Sequence, residues 1–322
     1  MSDLNPWIKS GFLFYALINV SIFLKLLFKK FDVISAVDLD TILPCYLVSK
    51  LRGKELVFDS HEYFTEVPEL IGRQSVKIFW QKIANFTLPK IKHNYTVGHK
   101  LSEIFEKQYG QPYETILNIE SRTPEIDSLE IDSHNQILGS HQKQMVYLGV
   151  LNKGRGIELA IQVVAEIPEI TLLIIGSGDL DDELKKLATD LKVHDRVSFL
   201  GYVEPAEIYG HLCNSWIALN LLEKQSLSYY YSLANKFFDY MNCEIPSINM
   251  DFPEYRNILN KYPFGACVEE YSVLALRRCL KQFFNEDFHG KAKESCKLGQ
   301  LEYNWESQRI KLLNFYKKNG LQ

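Results

Sequence analysis

The sequence predicts an α/β protein in two halves, each a parallel sheet flanked by helices. Three observations predict it. Short apolar runs of strand character alternate with longer stretches of helical spacing, the pattern of βα units rather than of hairpins. A polar stretch, Glu120–Gln144, has few large apolar residues and divides that alternation into two series. The length, 322 residues, suits two domains of ordinary size. With 46% apolar residues, 19 Phe and 18 Tyr, the chain has enough apolar bulk to fill two cores, which excludes disorder for most of it.

The elements follow in order. Gly11–Phe28 is strongly apolar, but Asn19, Ser21 and Lys25 interrupt it and no small-residue cleavage site follows. It reads first as a helix packed on a sheet. Lys9, Lys25, Lys29 and Lys30 outweigh Asp3, so peripheral contact with a membrane through residues 7–30 is a second role for it, and a membrane span a third reading. Asp32–Ala36 reads as a strand, Ile42–Leu51 as a helix and Glu55–Asp59 as a strand ending in Ser60-His61-Glu62. Helical spacing then runs to about Lys90. Asn94–Val97 is a strand, Leu101–Tyr109 a helix closed by Gly110, and Thr115–Leu117 a short strand. After the polar stretch, strands are expected at Met145–Leu148, Thr171–Ile175, Val197–Leu200, Trp216–Leu221 and Pro246–Asn249. Helices are expected at Ile157–Ala165, Asp181–Leu191, Ala206–Leu212, Leu233–Met241 and Trp305–Tyr316.

Composition narrows the function. A net charge of -4 and a pI near 6.1 argue against a nucleic-acid partner. The six cysteines form no C-x-x-C pair and read as buried thiols of a reducing compartment, so a cytoplasmic location is expected. The eight histidines are dispersed, so no metal site and no cofactor is expected.

In open parallel sheets ligands bind beyond the carboxyl ends of the strands. Three such ends carry candidate chemistry. After Leu148 come Gly149, Lys153, Gly154, Arg155 and Gly156, where glycine backbone, two cations and a helix start suit a phosphate. The spacing is not that of a Walker loop, and a solvated strand–helix turn fits the same residues. After Ile175 come Gly176, Ser177 and Gly178. Asp181 occupies the place of the third glycine of a dinucleotide fingerprint, which disfavours NAD and leaves a tight turn or a ligand contact. In the third segment, Ser226–Pro246, Lys236 and Asp239 share one helix face. A cation at a helix start suits a diphosphate and a carboxylate one turn deeper suits ribose hydroxyls; an exposed ion pair fits the spacing equally.

These segments, in this order, resemble the retaining glycosyltransferases of family 4. The matching stretches are Tyr147-Leu-Gly-Val-Leu with Arg155-Gly156, Leu173-Ile-Ile-Gly-Ser-Gly178, Asp195-Arg-Val-Ser-Phe-Leu-Gly201-Tyr-Val and Asn235-Lys-Phe-Phe-Asp-Tyr-Met with Pro246. The first half adds Phe58-Asp-Ser-His-Glu62 and Thr115-Ile-Leu-Asn118. The resemblance covers about Phe31 to Tyr316 and implies the GT-B fold, two Rossmann-like domains facing a cleft. Residues 1–120 would be a shortened acceptor-side domain rejoined by a C-terminal helix at 303–318, residues 121–144 the linker, and 145–302 the nucleotide-sugar domain. The implied reaction moves a sugar, a hexose in type, from a nucleoside diphosphate to a glycan or lipid-linked acceptor with retention at the anomeric carbon. The resemblance assigns donor binding to Gly149, Arg155, Gly176, Tyr202, Lys236 and Asp239. It assigns catalysis to Arg155, Lys236 and His61, and the acceptor side to Asp38, Asp40, His61 and Glu62.

Three departures stand out. The first acid of the family's E-x7-E motif falls at Tyr231, Val150 stands where an arginine is common, and by the resemblance the opening strand with its glycine-rich loop is expected to be missing. The missing part amounts to one or two βα units, on the order of 30–60 residues. Two other readings follow. One is an impaired nucleotide-sugar-binding module acting through a partner or a membrane. The other is a GT-B epimerase of sugar nucleotides, which needs acid and base carboxylates.

Overall fold

The computed structural model describes residues 11–120 and 143–321, except the side chain of Phe12. The chain forms two compact units. One is Met1–Leu117 with Ser226–Ser232 and Arg309–Gln322; the other is Asn118–Gln225 with Leu233–Gln308.

The first unit opens with α1 (Phe12–Phe28), then β1 (Val33–Val37), α2 (Leu39–Arg52), β2 (Glu55–Ser60), α3 (Gln74–Thr87), β3 (His93–Thr96), α4 (His99–Tyr109) and β4 (Glu114–Thr115). The four strands pair in sequence order, all parallel. Helix α1 presents Ile22, Phe23 and Leu26 to the core built by Ile42, Phe58, Trp80 and Leu101. Its other side leaves Leu13, Leu17, Val20, Leu24 and Phe28 exposed, one stripe at helical spacing. At 1.5 Å per residue its 17 residues rise only about 25 Å, and no helix among the described residues is long and apolar enough to cross a membrane. Helix α2 ends at Gly53 in the left-handed conformation, which any other residue would adopt with strain.

The second unit contains β5 (Lys143–Leu148), α5 (Ile157–Glu166), β6 (Ile170–Ile175), α6 (Asp181–Asp190), β7 (Val197–Gly201), α7 (Pro205–Cys213) and β8 (Ile217–Asn220). The chain then gives α8 (Leu227–Tyr230) to the first unit and returns as α9 (Asn235–Asn242), β9 (Ser247–Met250), α10 (Pro253–Lys261), β10 (Gly265–Val268), α11 (Val273–Phe283) and α12 (Glu286–Glu302). Helix α13 (Trp305–Lys318) begins in the second unit and ends in the first, where Phe315 is 2% exposed and meets the Tyr95 ring edge-on at 5.2 Å. The sheet order is β10-β9-β8-β5-β6-β7, all parallel. This is the doubly wound Rossmann order, which reverses between β5 and β8. Strands β6, β8 and β9 are buried throughout and β5 over Met145–Tyr147, as in a parallel sheet with helices on both faces.

Some expectations shift. Lys143 and Gln144 belong to β5, not to a linker, because they pair in register with Ile170 and Thr171; residues 121–142 lie outside the described residues. The strand expected at Thr115–Leu117 is only the two-residue β4. Strand β10 and helices α10 to α12 have no counterpart in the sequence reading.

Candidate functional site

In the second unit the strand order reverses beside β5, so the loop after β5 is where physical reasoning places a ligand. Gly149 opens that loop at φ 138 and donates its N–H to Ile175 O at 2.9 Å. Over this loop lies the side chain of Lys236, the second residue of α9. Its Nζ is 4.2 Å from the Tyr147 ring centroid, and a Cβ built on Gly149 would lie 3.6 Å from it. Tyr147 is held by its hydroxyl, which donates to Val150 O at 2.9 Å. Burial, and next the like charge of Arg155, pull the Lys236 ammonium down to about 7. Two cations drawn together at a helix start repel each other, and an anion resolves that repulsion.

Asp239 does not pair with Lys236. Burial, and next the charge of Glu120, push its carboxyl up to about 7; the Tyr209 hydroxyl donates to Oδ1 at 3.5 Å and opposes the shift. The exposed ion pair allowed by the spacing is thus absent: each group is partly buried without the other. Tyr240 fixes α9 against the sheet, donating to Leu219 O at 3.1 Å and accepting from Leu148 N–H at 3.0 Å. No role was assigned from the sequence to Tyr147, Tyr209 or Tyr240, because an aromatic among apolar residues reads as core, nor to Glu120, which reads as the start of the polar stretch.

Gly176 and Gly178 also have a packing reason. A Cβ on Gly176 would lie 2.0 Å from Gly149 O, and one on Gly178 would lie 2.6 Å from Leu151 N and O. Both glycines are required because two backbone loops pack on each other, with Leu151 N–H donating to Ser177 O and Leu180 N–H to Leu151 O. Gly156, the residue before α5, is left-handed and its Cβ would meet Leu221 Cβ at 2.4 Å. Tyr202 is 71% exposed.

In the first unit, β1 and β2 end at a second cluster. Asp38 has φ 57 and ψ 169, a conformation almost confined to glycine. Two hydrogen bonds hold it: its N–H donates to Asp59 O and its Oδ1 accepts from His61 N–H, both at 2.8 Å. His61 Nε2 lies 3.2 Å from Asp59 Oδ1, and that contact raises the imidazole pKa. Tyr95 donates to Asp59 Oδ2 at 3.0 Å. Burial, then the charges of Asp38, Glu69 and Asp40, push the Glu62 carboxyl up to about 7. Burial also raises Asp38 and Asp40. The four acceptor-side candidates, Asp38, Asp40, His61 and Glu62, therefore sit at adjacent strand ends. Asp59, which orients the histidine, escaped notice as the last residue of an apolar strand. Tyr231, at the place of the missing motif acid, packs on the first unit's core, whereas Asp239 belongs to the second unit. Among the described residues no group of three or more His, Cys, Asp or Glu is arranged to hold a metal.

Residues 130–299, just over half of the chain, match the family Glycosyl transferases group 1. The chain belongs to that family. Alpha-monoglucosyldiacylglycerol synthase of Streptococcus pneumoniae (strain ATCC BAA-255 / R6) is 25% identical over 151 residues, 44% of this chain and 32% of that protein. The chain thus spans about a third of the length of this curated relative. The fold of this group 1 glycosyltransferase is similar to that of Anabaena Alr3699/HepE crystallised with UDP-glucose, with a TM-score of 0.73 and 14% identity over 94% of this chain and 82% of that one. A glycosyltransferase from Rickettsia africae ESF-5 gives a TM-score of 0.70 at 15% identity, covering 98% of this chain and 84% of that one. The two Rossmann-like halves of the group 1 chain match these GT-B structures.

Proposed function

We propose that this group 1 glycosyltransferase, read as a retaining family 4 enzyme, transfers a hexose from a nucleoside diphosphate to a glycan or lipid-linked acceptor. The observation that carries the reading is Lys236, at the start of α9, whose Nζ lies over the Gly149 loop, the loop that also carries Arg155. As the diphosphate departs, its negative charge grows, and preorganised cations with a helix N-terminus stabilise that charge best in the transition state. These groups supply the charge themselves, so the proposal needs no metal and no cofactor. Asp239, one turn deeper in α9, accepts from the ribose hydroxyls; Gly149, Gly176 and Tyr202 line the donor position. The HepE complex with UDP-glucose supports a uridine nucleotide as the first donor to try.

On the first unit, His61, Asp38, Asp40 and Glu62 serve the acceptor. A carboxyl near 7 exchanges a proton with a hydroxyl at neutral pH. The Streptococcus pneumoniae relative is named for a lipid product, which supports a lipid-linked acceptor. Residues 7–30 give peripheral contact with the cytoplasmic face of a membrane; the exposed stripe on α1 and its lysines support this. Tyr231 supports a second reading, binding without transfer, because the motif acid is replaced by a core aromatic.

The test is a thermal shift with UDP, GDP, ADP and their sugar conjugates for wild type and Asp239→Asn. One nucleotide is expected to raise Tm, with its affinity falling about tenfold or more in the variant, the cost of a charged hydrogen bond. No shift with any nucleotide overturns the donor site. A shift without sugar release or transfer selects the binding module over the enzyme.

A further inference from the structure

A cavity of about 270 Å3 opens at the end of the first unit's sheet opposite to His61. The last turns of α2 and the first residues of β2 and β3 line it, with Lys50, Lys54, Lys90 and Lys92 around its walls. Its carboxylate, Glu55, is already engaged: Oε2 lies 3.3 Å from His93 Nε2. Lys54 reaches Asp32 at 3.4 Å, a side chain 92% exposed. Lys50 and Lys90 converge on one aromatic ring, with their ammonium groups 5.6 and 5.8 Å from the Tyr46 centroid, and Lys90 also sits 3.8 Å from that of Phe86. Aromatic faces hold cations in place without neutralising them. His93 has a side chain 13% exposed, and its Nδ1 is buried with no hydrogen-bond partner among the described residues.

The chain segment that leads to Lys90 and Lys92 is also basic in sequence, though its Lys77 pairs with Glu66. Residues 71–92 contain Arg73, Lys77, Lys82, Lys90 and Lys92 and no acidic residue, in a chain whose net charge is -4. The cavity lies at the C-terminal end of α2, where the helix offers carbonyl oxygens, so attraction for an anion comes from side chains alone. Its volume is below the roughly 300–1,000 Å3 of sites for whole small-molecule ligands. A compact anion fits it and a nucleotide sugar does not. Leu47 and Leu51, each following a lining residue of α2 (Tyr46 and Lys50), are 39% and 68% exposed, and Phe86, against which Lys90 sits, is 49% exposed.

We propose that this cavity binds a phosphoryl group, either the headgroup of an anionic phospholipid or a free phosphate. The flanking leucines and Phe86 favour the headgroup, because acyl chains would cover them.

The test uses the full chain and a triple variant, Lys50→Gln, Lys90→Gln and Lys92→Gln. The three lysines are exposed, so the variant is expected to keep its Tm in phosphate-free buffer; the matching Lys→Arg triple variant keeps both charge and fold. Co-sedimentation is measured with phosphatidylcholine vesicles containing or lacking phosphatidylglycerol. Thermal shift is measured with inorganic phosphate against chloride at equal ionic strength. Binding to the phosphatidylglycerol vesicles that falls about tenfold or more in the Gln variant and survives in the Arg variant identifies the headgroup. A phosphate-specific shift lost in the Gln variant, without vesicle binding, identifies free phosphate. Neither response in wild type, or responses unchanged by the Gln substitutions, overturns the proposal. Inorganic phosphate also suits the diphosphate site proposed at Lys236, so only a response that the Gln variant loses is assigned to this cavity.

Discussion

Lys236 and Asp239 are the residues where stability and function pull apart. The Lys236 ammonium has left water beside a like charge, so its folded pKa is about 7 against an ordinary 10.5. The unfolded chain then binds more protons between those values, and this residue makes the fold less stable as pH falls from about 10.5 to 7. Lys236→Met is expected to raise Tm by a few degrees at pH 7.5 while abolishing the UDP shift. If diphosphate binding needs the charged form, the UDP Kd rises above pH 7 in wild type and stays flat in Lys236→Arg, measured by calorimetric titration. Asp239 and Glu62 have the opposite sign. Each is raised from an ordinary carboxyl to about 7, so the folded chain holds the extra proton, and their contribution is lost as pH rises from about 4 to 7. Glu62→Gln is therefore expected to raise Tm at pH 8 more than at pH 5. Asp38 stores backbone strain of roughly 1–3 kcal/mol, so Asp38→Ala, which keeps the strain and loses the His61 bond, should cost about 1 kcal/mol more than Asp38→Gly in urea unfolding.

At the scale of elements, the glycine loops after β5 and β6 are one structure. Gly176→Ala would drive a Cβ into the Gly149 carbonyl, backbone against backbone, and is expected to cost more than about 2 kcal/mol. Gly290→Ala, in the middle of α12 with nothing within 4 Å, is expected to be neutral or to gain up to about 1 kcal/mol. Chemical denaturation of the two variants separates close packing from general intolerance of a side chain. Most element positions were legible because alternating apolar runs bounded by Gly, Pro and Asn mark βα units. Thr115–Leu117 misled because a run of apolar residues after a helix pattern reads as strand, while β3 ends at Thr96, so the pairing stops at Thr115 with a last bond from Ile116 N–H to Thr96 O. The segments from α10 onward, apart from α13, were not legible, because β10 has just four residues and α12 carries no strong apolar stripe.

Over the whole molecule, chain order and spatial unit do not coincide. Residues 226–232 and the end of α13 belong to the first unit although the second unit's sequence surrounds or precedes them. Differential scanning calorimetry is expected to show two transitions. Phe315→Ala should lower the one belonging to the first unit, because removing a buried Phe costs about 3–5 kcal/mol. UDP should raise the other. A single transition moved by both changes would mean that the two units unfold together.

The sequence by itself determined the two-sheet α/β class, the strand ends where ligands are sought, and the residue types at those ends. All three follow from short-range periodicity and turn chemistry, which are written along the chain. Only the folded structure shows that Gly176 packs on the Gly149 carbonyl. The folded structure also shows that Lys236 lies over the Gly149 loop without an ion pair to Asp239, and that four lysines from α2, the segment before β3 and the start of β2 ring one cavity. Those facts depend on distances between residues far apart in sequence, and on burial, which changes the charge a side chain carries without leaving a mark on the sequence.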